Sequence, residues 1–242
     1  MELIHPIFKW LHVIAGIMWI GLLYFFNFVN TAFAPTMDGE TKKKVVPELM
    51  PRALYWFRMG AAWTWVTGVV LLYVIYWAGG MMPEDFTSND ITGEPANMSI
   101  HVLLLFTFVA VFLYDAIYKS PLASNVRAVT IVSFLLIGAY VFAMQKLGGF
   151  GYRAVNIHLG ALFGTNMAFN VWFRIWPAQQ KIINAIKNGE APNADLLALA
   201  GLRSKHNTYM SVPLVWTMHN QHLSLIHISE PTRLLSIADS GV

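Results

Sequence analysis

The sequence predicts an all-α integral membrane protein, a polytopic helix bundle of five full transmembrane helices and a partial sixth. Three observations carry this. Charged residues make up 12% of the chain, about half of what a soluble domain carries, and mean hydropathy is +0.51. The chain holds 16 Phe, 9 Trp and 9 Tyr, rings that suit a bilayer and its two interfaces. Long apolar stretches recur, and a hydrocarbon core about 30 Å thick needs roughly 20 such residues in a helix.

Five stretches meet that length: 7–33, 56–77, 99–118, 126–145 and 152–176. The sixth, 207–222, is shorter and contains Pro213, which kinks a helix and is tolerated where neighbours resatisfy the freed carbonyl. Asp38-Gly39 and the triplet Lys42, Lys43 and Lys44 mark the first connection as a polar loop. GGFGY at 148–152 reads as an extracellular turn. The last connection is expected to hold short amphipathic helices, divided by Asn188-Gly189 and Pro192, with Asn193 as a cap. From Leu223 onward the text loses its aromatics and its apolar runs. Residues 223–242 are expected to be a non-native or disordered tail, the alternative being a natural polar one.

Loop charge sets the expected orientation. Lys42, Lys43, Lys44 and Arg52 follow the first helix; Lys119 and Arg127 follow the third; Lys181, Lys187, Arg203 and Lys205 follow the fifth. The connection after the second carries Glu84, Asp85, Asp90 and Glu94 and no Lys or Arg. Only Lys146 and Arg153, after the fourth, vote the other way. The positive-inside rule then places the N-terminus outside a bacterial inner membrane. The net charge of +3, spread over loops rather than gathered in a stripe, argues against a nucleic-acid partner. With no cysteine, disulfides, thiolate metal sites, iron–sulfur clusters and covalent haem attachment are excluded. Any metal or haem must be held by His, Met or oxygen.

Polar residues inside a membrane are rare and mark function by default. Depth sorts them into two sets. Toward the outer leaflet lie His12, His158 and His222, with His101 and His219 at the interface. Neutral imidazoles from two helices at one depth are what a haem b needs, so His12 and His158 are the candidate iron ligands, with His222 as a further cofactor ligand. The alternative is that each imidazole bonds a neighbouring group. Gly160 and Gly164 form a Gly-x-x-x-Gly patch that points to close helix packing. Toward the inner leaflet lie Asn27 and Asn30, Asn166 and Asn170, and Asp115 with Lys119 one turn on. Arg58, Arg174, Arg203, His206 and Asn207 share that level. Arg and Asn give directional hydrogen bonds suited to an anion or a planar heterocycle. Arg58, Asn170, Arg203, His206 and Asn207 are therefore the candidate substrate-binding residues, with interhelical bonding as the alternative.

Three stretches together resemble one family. They are LHVIAGIMWIGLLYFFNFVN, WFRMGAAWTWVTGVVLL, and the run from NIHLGALFGTNMAFNVWFRIWPAQQ to RSKHNTYMSVPLVWTMHNQH. In order and spacing they resemble the membrane-bound urate hydroxylases, whose membrane part is the urate oxidase N-terminal domain. The resemblance spans the chain to about residue 222. It implies a membrane enzyme that oxidises urate to 5-hydroxyisourate and passes electrons to a cytochrome c. The matched positions are His12, Trp19, Gly21, Arg58, Gly60, His158, Gly164, Asn170, Pro177, Arg203, His206, Asn207, Ser211 and Pro213. The family's fused cytochrome domain and later helices are missing here, so a truncated chain is expected, the alternative being a stand-alone branch with a substrate other than urate. Two readings of other classes remain open: a transporter or channel-like module, and a structural anchor for a partner oxidoreductase.

Overall fold

The computed structural model describes residues 3–78 and 98–220, and the described residues form helices and no strand. The first helix, α1, covers Ile4–Thr36; the second, α2, covers Gly39–Trp77. They are followed by α3 (Met98–Ile117) and α4 (Val126–Lys146). The next, α5, runs through 152–187, and α6 covers Ala194–His219. The first four are long and apolar enough to cross a membrane. By contrast α5, expected as the fifth span, is the central helix. It packs against α2, α3, α4 and α6, and its buried positions include His158, Thr165, Asn166 and Asn170. These polar groups dilute its hydropathy because protein rather than lipid faces them.

Two expected boundaries are corrected. Residues 39–55 are not a loop but the first turns of α2, which passes through Pro47 and Pro51. The cause is local: the Asp38 carboxylate caps the helix, accepting from the Thr41 backbone N–H at 2.9 Å and from its hydroxyl at 2.7 Å. These bonds hold the Asp38 carboxyl below its ordinary pKa. A carboxylate with a depressed folded pKa stabilises above its unfolded pKa, and the effect is lost as pH falls through the folded value. Asp38→Asn should therefore flatten the acid limb of the thermal-stability profile while leaving the neutral plateau nearly in place. The second correction concerns α6, which begins at Ala194 rather than 207. Asn193 caps it as expected, accepting from the N–H groups of Asp195 and Leu196, and the helix then continues without a break through Pro213. The turn at Gly189 needs its positive φ of 76°, and Gly149 (φ 63°) serves the 148–152 turn. His222, the 223–242 tail and the acidic second connection lie outside the described residues.

Three helices widen locally into π segments with i+5 hydrogen bonding: Phe25–Asn30 in α1, Leu72–Trp77 in α2 and Val171–Ile175 in α5. Such bulges commonly accompany functional sites, and sequence pattern does not reveal them. The tightest pairing is α1 against α2. A Cβ on Gly60 would lie 3.1 Å from the Trp19 nitrogen and 3.2 Å from the Ala15 carbonyl. Both are backbone atoms that cannot yield, so Gly60→Ala should cost about 1–3 kcal/mol, read as a lower melting temperature in detergent. Within the Gly-x-x-x-Gly patch, only Gly160 is tight, its Cβ position lying 2.7 Å from Thr217 Oγ1 and Met218 Cε; Gly164 has ordinary space.

Candidate functional site

The inner polar residues converge on one carboxylate. Asp115, buried on α3, takes a two-pronged ion pair from Arg174, whose Nε donates to Oδ1 at 3.0 Å while Nη2 donates to Oδ2. Arg203 Nη2 donates to Oδ1 at 2.9 Å, and Lys119 Nζ reaches Oδ2 at 2.7 Å. Three cations thus meet one anion, and the surplus charge is positive. The short-range pair Asp115–Lys119 was legible in sequence; Arg174 and Arg203 arrive from α5 and α6.

Beside this cluster runs a hydrogen-bonded chain. Asn170 Nδ2 donates to Tyr114 Oη and to Asn207 Oδ1, each at 2.9 Å. Asn207 Nδ2 donates to the Met167 carbonyl at 3.0 Å. Tyr114 Oη lies 2.9 Å from His206 Nδ1, a hydrogen bond in which either can donate according to the imidazole tautomer. The Arg203 guanidinium stands over the rings of Tyr114 and Tyr118, 5.0 and 5.6 Å from their centroids. The Tyr118 ring also packs on His206 at 4.2 Å. Asn170, Arg203, His206 and Asn207 therefore come together as expected.

Arg58 does not join them. Its guanidinium stacks on Trp176 at 3.9 Å and lies near Trp172 and Tyr55. Trp172 and Trp176 sit two residues on either side of Arg174, and residues two apart on a helix point to opposite sides. Arg58 accordingly lies across α5 from the Asp115 cluster. Depth along the bilayer normal placed these residues at one level, but rotation about the helix axis separates them.

A cleft of about 180 Å³ opens where α3, α4, α5 and α6 meet. Its polar wall is Tyr114, Tyr118, Ser133, Tyr140, Asn166, His206 and Tyr209; Phe106, Leu136 and Phe163 contribute to the apolar remainder. Tyr140 is fixed by Thr107, the hydroxyls lying 2.6 Å apart. One feature marks the cleft as a ligand site. The Asn166 amide oxygen is buried without a hydrogen-bond partner; behind the Tyr114 and Tyr118 rings, outside the cleft lining, Nε and Nη1 of Arg203 are also unpaired. Buried polar atoms are rarely left unpaired without a functional reason. The tyrosine wall was missed in sequence, although Tyr114 and Tyr118 stand one turn apart beside Asp115.

A family model described as "Urate oxidase N-terminal" matches residues 1–238. The chain belongs to this family. No curated protein and no solved structure matches the chain. Among the positions expected from the urate oxidase N-terminal resemblance, Asn170, Arg203, His206 and Asn207 build the inner network, and Gly60 is a packing residue.

The outer histidines have another role. His158 is fully buried. Its Nδ1 lies 2.7 Å from the Ala154 carbonyl, to which it donates, so Nε2 is the acceptor for the Trp77 indole N–H at 3.2 Å. The Trp77 ring stacks on it at 6.4 Å, and Tyr76 and Phe150 meet it edge-on. Both nitrogens are thereby used. His12 Nδ1 meets Thr67 Oγ1 at 3.2 Å, while His158 meets Trp77, ten residues further along α2 and roughly 15 Å in rise. As placed here, His158 has no free nitrogen to offer a haem iron, and His12 gives its Nδ1 to Thr67. They bond neighbouring groups, the alternative left open from sequence.

Proposed function

We propose that the chain binds urate in the tyrosine-walled cleft and oxidises it to 5-hydroxyisourate, the electrons passing to a cytochrome c. The observation that carries this is the unpaired Asn166 amide oxygen in an aromatic cleft, with the positive Asp115–Arg174–Arg203 cluster behind its wall. Urate is a flat anion with N–H donors and carbonyl acceptors. Tyrosine faces stack on such a ring, the Asn166 oxygen takes an N–H, and surplus positive charge favours the anion. Overall, urate and water give 5-hydroxyisourate, two protons and two electrons, with the water oxygen bonded at C5. Two ferricytochrome c molecules accept the electrons. The Tyr114–His206 pair, hydrogen-bonded at 2.9 Å, is the proton-accepting group at the cleft.

In the membrane, the N-terminus lies outside under this reading. Lys43 packs beside Gly189, so the lysine-rich start of α2 and the basic 181–205 region share one end of the bundle, the end expected to be cytoplasmic.

The test uses membranes containing the protein. Urate should reduce added ferricytochrome c, and Asn166→Ala should weaken urate affinity about 5- to 150-fold, the 1–3 kcal/mol of a buried group left unpaired. Urate uptake into sealed vesicles with no electron acceptor, and no reduction when one is supplied, would instead establish a transporter.

A further inference from the structure

The start of α6 separates the Asp115–Arg203 cluster from a second cavity of about 120 Å³, framed by α1, α2, α5 and α6. Its polar lining is Asn27, Asn30, Thr31, Gln179 and Ser204, and no ionisable group lines it. Asn27 Nδ2 donates to Ser204 Oγ at 2.8 Å and to the Leu23 carbonyl at 2.9 Å. The π segment Phe25–Asn30 forms the α1 side and presents both asparagines there. Thr31 and Gly201 are exposed, which makes them the mouth. Leu54, Phe57 and Ile175 add buried apolar lining, and in sequence Ser204 follows Arg203, whose Nε and Nη1 are buried and unpartnered.

We propose that this cavity is a hydrated vestibule that admits water and protons from the aqueous phase, at the basic end of the bundle, as far as the Arg203 layer. Apolar cavities stay dry, but water enters where it finds two to four polar partners, and its share of liquid volume is about 30 Å³. By that measure the cavity has room for about four waters. The rest of this inference stands on the urate reading: the vestibule then supplies the water that the hydroxylation consumes and receives the two protons that it releases.

The chain contains no cysteine, so single-cysteine variants report cleanly. The probe is a small, water-soluble, membrane-impermeant methanethiosulfonate, applied to the protein in vesicles without urate. Thr36→Cys, on the exposed end of α1, gives the wet reference; Val212→Cys, exposed on the apolar flank of α6, gives the lipid-covered one. Ser204→Cys is expected to react within about a hundredfold of Thr36→Cys, because a thiol in wet surroundings reacts whereas one buried in apolar surroundings is inert. Val212→Cys should stay unreacted. Adding Asn27→Leu to Ser204→Cys should slow labelling at least tenfold. Asn30→Cys carries the measurement if Ser204→Cys does not fold. A folded protein in which the cysteine at the vestibule is as silent as the one at 212 overturns the proposal. Labelling without urate turnover would sink the urate reading and leave the vestibule standing.

Discussion

Asp115→Ala is expected to be the most damaging single substitution in the chain. It removes the only carboxylate among the described residues that meets Arg174 and Arg203, leaving two guanidiniums, one of them 2% exposed, without a counter-charge. Breaking a buried pair from one side costs about 3–5 kcal/mol. That is a large part of the roughly 5–15 kcal/mol that holds a typical protein folded. The expected result is a sharp loss of folded protein in membranes and a melting temperature lowered by many degrees. Removing charge from both sides discriminates between causes. Asp115→Asn with Arg203→Gln should recover much of the stability lost in Asp115→Asn alone, because uncompensated positive charge is the damaging element. No recovery, measured as coupling in a double-mutant cycle, would show that shape rather than charge matters at this site.

Arg203→Lys should have the largest effect on function. Lysine keeps the charge but loses the planar fork and its stacking on Tyr114 and Tyr118. If the unpartnered guanidinium edges and the positive field serve the urate anion, kcat/KM should fall by roughly 30- to 1,000-fold, the 2–4 kcal/mol typical of a lost charge-assisted contact. The ammonium of this variant still faces Asp115 and preserves much of the fold, so thermal stability should fall less than for Asp115→Ala. Unchanged urate oxidation in a folded Arg203→Lys protein would remove Arg203 from substrate handling. Arg58→Lys is the companion measurement. Since Arg58 stacks on Trp176 across α5 from the cluster, its replacement should affect stability more than turnover.

The local chemistry of the chain was legible because it obeys local rules. Asn193 caps the helix that follows it, and Gly189 and Gly149 take the turns. Where reading failed, a non-local partner was responsible. Asp115 and Lys119 satisfy the i,i+4 rule and can pass for a self-contained pair. Only folding brings Arg203, 88 positions away, onto the same carboxylate. The lysine-rich stretch at 42–44 looked like a loop because of its charge. One cap at Asp38 and a helix long enough to stand beyond the apolar region make it helical instead.

By itself, the sequence determined that the chain is a membrane helix bundle, where the apolar cores of its helices lie, and which polar groups they carry. Those are properties of composition and of position along each helix, and hydropathy measures them one residue at a time. The tertiary structure decided which of those groups meet. Rotation about each helix axis, set by packing, brought Asn170, Arg203, His206 and Asn207 together. The same packing turned Arg58 away and docked His12 and His158 against separate positions along α2. The π segments, which shift every later side chain around its helix, are set by that packing too. A one-dimensional depth profile carries no azimuth, and the candidate site is defined by azimuth.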